Sequence, residues 1–315
     1  MKKLLILLII PFIGISQDIS FEKYNNYLNP DDMSLKTIPV KDNIYMIEGI
    51  GGGVGNLGVL ISNNGIVMID NQFEILEDLL TAKVKELSDK PIKYIINTHH
   101  HFDHADGNRA FGKKGIPIVS HKNVRVRQAE ISMAYGGIYS LLDNFNVPAH
   151  EKDELPTITY DDKMYLHEGD ETIIIHYFGR GHTDGDSVIE FENANVVHTG
   201  DSFIKYGLPY VDMTNGGNIE GFIKILDHII NLCDENTIII PGHGGLSNVK
   251  EIVEMRDGLM HYYNLTIEGY KKGLNLEEIS SSIKIELGKT SGMGEPQEVK
   301  LNFIRSILLE NNIVI

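Results

Sequence analysis

The sequence predicts an α+β fold in which two β-sheets pack face to face and helices cover their outer sides. Two observations carry this. Short β-rich runs fall into two groups, one over residues 35–97 and one over 164–242. Each group is accompanied by segments with apolar residues at helical spacing, and a sheet buries its apolar face only against another layer. The size allows it: 315 residues, 42% hydrophobic and 23% charged, suit a globular chain with a large core.

In chain order, MKKLLILLIIPFIGISQ joins Lys2 and Lys3 to an apolar run from Leu4 to Ile15. That run is of signal-peptide length and too short to span a bilayer, so residues 1–16 are expected to be a cleaved signal, with Gly14 and Ser16 before the cut at Gln17. No cysteine follows the run, which argues against a lipid anchor. Residues 17–34 are expected to form a loose lead-in. LKTIPV, NIYMIEG, NLGVLIS and GIVMID then read as an antiparallel meander broken by turn signals such as Asn63-Asn64-Gly65. FEILEDLLTAKVKELS (73–88) reads as a helix, IKYIIN (92–97) as a buried strand, IPIVSH as another strand, and 121–136 as a longer helix.

The second group holds MYLHEG, ETIIIHYF, DSVIEF, NVVHTG and, after a helix at 218–233, TIIIPG. Residues 35–250 are expected to form one catalytic domain. Residues 251–315 read as mostly helical segments with charged faces, a helical C-terminal extension packing on that domain.

The formal net charge is −16, and removing residues 1–16 takes away two lysines and no acid. So acidic a chain lacks the electrostatic footprint for nucleic acid or an anionic membrane. The expected partner is a small-molecule substrate, with no nucleic acid and no stable membrane association after signal cleavage. The one cysteine, Cys233, sits at helical spacing among apolar residues and reads as packing.

The chemistry concentrates at predicted strand ends. His99-His100-His101-Phe102-Asp103-His104 packs four of the 13 histidines into six positions. Three further polar stretches follow: Gly179-Arg180-Gly181-His182-Thr183-Asp184-Gly185-Asp186, His198-Thr199-Gly200-Asp201-Ser202 and Pro241-Gly242-His243-Gly244-Gly245. Loops at strand ends are where a rigid scaffold presents chemistry. In an extended H-x-H segment alternate side chains share one side, so His99 and His101 can share a metal. Asp103 and His104 can turn toward a second one at the roughly 3.5–4 Å separation of two-metal hydrolysis. Imidazole and carboxylate donors suit zinc.

The pattern H-x-H-x-D-H, then G-H-T, T-G-D and P-G-H-G, in this order over residues 40–250, resembles the metallo-β-lactamase superfamily. The resemblance implies a four-layer αββα sandwich with two zinc ions at one edge. It implies that His99, His101 and His182 hold one ion, that Asp103, His104 and His243 hold the other, and that Asp201 bridges both. The lactamase subclass with a cysteine ligand would need a cysteine near Asp201-Ser202, so this ligand set is similar to the cysteine-free subclass and to the wider hydrolases, the glyoxalase II-like ones among them.

A zinc-activated hydroxide is then the expected nucleophile, with Asp103 steering it and passing a proton to the leaving group. The expected activity is that of an exported, periplasmic or secreted zinc hydrolase opening a cyclic amide in the manner of a β-lactamase. The alternatives are hydrolysis of a lactone, thioester or sulfate ester, and a non-catalytic metal-binding protein. Lys205 is the candidate for binding a substrate carboxylate, as against an ordinary surface lysine. Tyr206 and Tyr210 are candidates for the pocket wall, and the Gly-rich hairpin 48–63 for its rim. Asp70 is expected to brace the metal loop; Asp184 and Asp186 either brace or make turns. His100 should point away from its neighbours, and His121, His150, His167, His176, His198, His228 and His261 should be packing or surface residues.

Overall fold

A computed structural model of the chain describes residues 21–134, 145–284 and 296–313. The expected signal and residues 17–20 lie outside them. The rest of the lead-in is not loose: helix α1 (Glu22–Tyr27) buries Tyr24, whose hydroxyl donates to Asp106 at 2.7 Å.

Strands β1 (Ser34–Lys41), β2 (Ile44–Ile50), β3 (Leu57–Ser62) and β4 (Gly65–Ile69) form the expected antiparallel meander. Helix α2 (Glu77–Leu87) crosses over to β5 (Ile92–Ile96), which lies parallel to β4. Short helices α3 (Phe102–Ala105) and α4 (Asn108–Lys113) lead to β6 (Ile118–His121), again parallel.

Helix α5 (Lys122–Gln128) is shorter than the 121–136 expected. Strand β7 (Ser132–Ala134) pairs instead with β8 (Phe145–Val147). That partner is remote in sequence, so local periodicity does not register it. Strand β9 (Ile158–Tyr160) completes a seven-stranded sheet ordered β1-β2-β3-β4-β5-β6-β9.

Strands β10 (Lys163–Glu168), β11 (Glu171–His176), β12 (Val188–Phe191) and β13 (Val196–His198) form a second meander. Helix α6 (Ile219–Leu232) returns the chain to β14 (Ile238–Ile240), parallel to β13. The chain continues in α7 (Val249–Lys271), α8 (Leu276–Ser282) and α9 (Pro296–Glu310). Asparagine side chains cap three of these helices: Asn218 accepts from Gly221 N, Asn248 from Glu251 N, and Asn275 forms a capping box with Glu278.

Strand β4 shows why the layers form. Val67 and Ile69 face Ile173, Ile175 and Phe191 of the second sheet, while Ile66 and Met68 face outward into the cluster holding Leu76, Leu80 and Val84. A strand covered on both faces is apolar throughout, as this one is. On the far side, Phe222, Leu226 and Ile229 of α6 pack with Ile252 and Leu259 of α7 and with Val299, Phe303 and Ile307 of α9. The order helix, sheet, sheet, helix follows.

Candidate metal centre

The metal loop begins where β5 stops at Ile96. His101 has extended backbone geometry, and helix α3 starts immediately after it, so His99 and His101 lie on the extended approach while Asp103 and His104 lie in the first helical turn. Asp70 fixes that loop. It stands at the end of β4 with φ +64°, a left-handed geometry uncommon outside glycine and found where surroundings over-determine it. Its carboxylate accepts from Thr98 N and Thr98 Oγ1, each at 2.7 Å, and faces His104 Nδ1 at 2.9 Å. Here is the expected brace.

The second half of the site comes from three loops of the smaller sheet. His182 follows β11 and points Nδ1 at the carbonyl of Tyr210, 2.7 Å away. Asp201 lies in a short 3-10 turn, Gly200–Ser202, just beyond β13. His243 follows β14. Only glycine fits at position 242, because a Cβ there would stand 1.9 Å from Asp201 Oδ1; likewise a Cβ on Gly55 would stand 2.5 Å from His104 Cε1. Asn56, buried in the β2–β3 connection, donates from Nδ2 to the carbonyls of Pro241 (2.9 Å) and Gly244 (2.7 Å) and so ties the His243 loop to the larger sheet.

These loops bring together every metal-ligand candidate. The donor atoms of His99, His101 and His182 lie within 4.8 Å of one another, as do those of Asp103, His104 and His243, and those of His99, His104 and Asp201. Asp201 spans the groups: Oδ1 is 3.1 Å from His104 Nε2, and Oδ2 is 3.5 Å from both His182 Nε2 and His243 Nε2.

The hydrogen bonds show that the donor set suits a cation. His99 Nδ1 faces Thr98 Oγ1 at 3.0 Å, whose proton goes to Asp70, so that nitrogen carries the hydrogen. His182 Nδ1 gives its hydrogen to Tyr210 O, and His101 Nε2 gives one to Asp212 at 2.9 Å. The lone pairs left over, on His99 Nε2, His101 Nδ1 and His182 Nε2, converge. The last two are 2.8 Å apart, and His99 Nε2 is buried without a partner among the described residues. Facing lone pairs repel unless a proton or a metal ion lies between them, and a hydrogen-bonded outer nitrogen is the usual support of a ligating imidazole.

Protonation equilibria divide the same way. Burial and the neighbouring His104 hold the His99 imidazole well below its ordinary range, and burial with His101 pushes His182 down to about 4. For His104 and His243 burial acts in the same sense, but Asp201 and Asp103 outweigh it, holding His104 well above the ordinary range and raising His243 to about 9. In the first group His99 and His182 are neutral ligands, whereas at His101 burial is outweighed by the Asp212, Asp103 and Asp201 carboxylates, which raise it above its ordinary value. The second carries the carboxylates a positive charge requires.

Lys205 is not brought to the site. Its ammonium pairs with Glu251 at 2.8 Å and donates to Leu246 O at 3.2 Å, held by the start of α7. Three residues from Ser202 in sequence, it is turned away by the chain's passage from sheet to helix.

Asp186 makes a turn by accepting from Thr183 N and Oγ1, and Asp184 pairs with Arg127 at 2.6 Å. His121 stacks on Tyr177 at 3.9 Å, His176 pairs with Glu190 at 2.7 Å, and His167 is exposed. Cys233 packs beside the outer apolar cluster, where burial pushes its thiol up to about 12. Sequence reasoning missed Asp212, Asn56 and Thr98. Nothing in YVDMT marks Asp212, because its role depends on a fold contact with a residue 111 positions away.

A cleft of about 740 Å³, including its open mouth, lies over the cluster. Tyr206 and Tyr210 line it as expected, with Phe102, Met133, Ala134 and Val147 forming an apolar wall and Gly53 of the Gly-rich hairpin at the rim. No lysine or arginine is among the described residues that line it.

A family model described as the metallo-beta-lactamase superfamily matches residues 50–243. The chain belongs to this superfamily. A hydroxyacylglutathione hydrolase of Pelagibacter ubique is 31% identical over 39% of this chain and 42% of its own length. The metallo-beta-lactamase IND-1 of Chryseobacterium indologenes is 25% identical over 65% of this chain and 80% of its own length. Among solved structures, a metallo-beta-lactamase from Pontibacter korlensis superposes with a TM-score of 0.57 at 16% identity, over 72% of this chain and 99% of that one. The fold is therefore the superfamily's sandwich. The protein is a metallo-hydrolase of this superfamily, with histidine and aspartate groups able to hold metal.

Proposed function

We propose that the protein is an exported hydrolase with two zinc ions that opens an ester, thioester or lactone with an apolar body. One observation carries this: two ligand groups joined by Asp201 face a cleft that has an apolar wall on one side and no lysine or arginine among its described lining residues. His99, His101 and His182 would hold one ion; Asp103, His104 and His243 the other; Asp201 both. Zinc held there supplies a water of lowered pKa, from about 15.7 toward 7, and a Lewis acid for a carbonyl.

The chain's own residues do the rest. Asp103 stands 3.2 Å from His243 Nε2 with its side chain at the cleft, where its carboxylate can orient an attacking water and pass a proton to the leaving group. Phe102, Met133, Ala134 and Val147 exclude bulk water and hold the apolar part of the substrate. The tyrosine rings of Tyr206 and Tyr210 narrow the approach. No side-chain nucleophile is needed.

A β-lactam is the second reading, favoured by the lactamase relative matched over 80% of its length. Its weakness is the carboxylate anchor, since Lys205 is already paired with Glu251. Export rests on the N-terminal Lys2-Lys3 and the apolar run behind them. The test is a hydrolysis screen of zinc-loaded protein against nitrocefin, a γ-lactone and an acyl thioester, with elemental analysis for zinc. Faster turnover of lactone or thioester with about two zinc ions per chain is expected; nitrocefin as the best substrate would select the lactam reading, and no bound metal would end both. Mass spectrometry of host-derived protein should find a start at Gln17, and an intact Met1 would end the export reading.

A further inference from the structure

Beside the metal groups lies a polar pair that the reaction outlined above does not use. His100 lines the cleft but is only 7% exposed, and neither Nδ1 nor Nε2 has a hydrogen-bond partner among the described residues. A buried imidazole with both nitrogens unmet is uncommon, because each unmet group forfeits about 1–3 kcal/mol of solvation. Facing it, Asp212 is 2% exposed and also lines the cleft. Its carboxylate accepts from His101 Nε2, Asn215 N and Asn215 Nδ2, three of about four lone-pair positions, so one acceptor direction is left.

Donor atoms of His100 and Asp212 lie within 4.8 Å of each other, with no direct hydrogen bond between them. That gap suits one intervening oxygen with two hydrogen bonds of ordinary length. Asp212 can only accept, and His100 can donate. A hydroxyl satisfies both, giving its hydrogen to Asp212 and receiving one from the imidazole.

We propose that His100 and Asp212 form a hydroxyl-binding subsite beside the metal centre, making the protein selective for substrates with a hydroxyl close to the scissile carbonyl. This rests on the hydrolase reading and deepens it. His100 acts as a binding and specificity residue, not a ligand. Asp212 does double duty, holding His101 with one part of its carboxylate and the substrate hydroxyl with the other.

The test compares p-nitrophenyl butanoate with its 2-hydroxy and 3-hydroxy analogues on zinc-loaded wild type, His100→Phe and His100→Gln, with zinc measured in each. In wild type at least one hydroxylated ester should exceed the plain ester in kcat/KM by about tenfold. That ratio should fall to near one in His100→Phe and be partly kept in His100→Gln. Calorimetry of the products, butanoate against the matching hydroxybutanoate, should show the same preference in wild type and its loss in His100→Phe. A wild type that binds zinc and cleaves the plain ester without any hydroxyl preference, or a preference that survives His100→Phe, overturns the subsite alone. A wild type that binds no zinc or cleaves no ester overturns the hydrolase reading beneath it. If His100→Phe does not fold, His100→Gln decides: an undiminished ratio overturns the subsite.

Discussion

The two halves of the metal centre are built on different terms. The larger sheet delivers His99, His101, Asp103 and His104 from one six-residue stretch, held by a side chain of the adjacent strand, Asp70. The smaller sheet delivers His182, Asp201 and His243 one per loop, and holds them through backbone: the Tyr210 carbonyl on His182, and the Pro241 and Gly244 carbonyls tied to Asn56. Each half also braces the other. Asp212 of the second fixes His101 of the first, and Asn56 of the first fixes the His243 loop of the second. A contiguous motif can set its own geometry with one carboxylate, whereas dispersed ligands depend on sheet register and on contacts that cross the sandwich.

The most direct way to break the comparison is to remove what joins the halves. Losing a residue that merely supports a ligand typically costs 10–100-fold in metal affinity or activity. Asp201 reaches both groups, so Asp201→Ala should cost more than about 100-fold in kcat and leave less than the wild-type metal content by elemental analysis; near-normal turnover with full metal would show that the halves work independently.

Next come the braces. Asp70→Asn should weaken metal binding about 10–100-fold in a chelator competition, because the carboxylate behind Thr98 and His104 is lost. Asn56→Ala leaves the buried Pro241 carbonyl and the half-buried Gly244 carbonyl without their donor and should cost about 1–3 kcal/mol in urea unfolding. If Asn56→Ala weakened metal binding more than Asp70→Asn, the division into a carboxylate-held and a backbone-held half would fail.

A smaller effect comes from pH beneath the first half. The His150 side chain is buried, with Asp106 and Glu154 carboxylates at 3.8 and 3.9 Å; burial and the nearby Arg109 and Lys113 push it from 6.5 down to about 3. The unfolded chain therefore takes up a proton that the folded chain refuses between these values. The stability this group contributes is complete above pH 6.5 and is lost as pH falls toward 3. By pH 4.5 the loss should be about 2–3 kcal/mol, and His150→Phe should lose less than wild type between pH 7 and 4.5 in paired urea titrations. Equal slopes would refute it.

The smallest expected effect is that of Lys205→Ala. With its ammonium on Glu251 and partly exposed, the pair contributes less than about 1 kcal/mol, and KM for nitrocefin or a lactone should stay within about twofold. A tenfold rise in KM for nitrocefin alone would return Lys205 to the cleft and favour the lactam reading.

Much of this protein was legible from the chain. Alternation and turn residues mark the meanders, and the spacing of His99, His101, Asp103 and His104 announces metal chemistry because few other environments need so many imidazoles together. The lead-in, the end of α5 and the fate of Lys205 were not legible in this way. Tyr24 is anchored by Asp106, strand β7 by β8, and Lys205 by Glu251, and each partner lies more than ten residues away.

The sequence by itself determined the layer pattern, the acidic charge and the identity of the ligand candidates, because periodicity, composition and short-range spacing are local properties. Only the tertiary structure decided that Asp201 reaches both groups, that Asp212 stands behind His101, that His100 faces the cleft with no hydrogen-bond partner among the described residues, and that Lys205 turns away. Those outcomes depend on how two sheets and the helices outside them meet. The energies that settle them, burial of an unpaired group or pairing of a charge, exist only once the distant partner is in place.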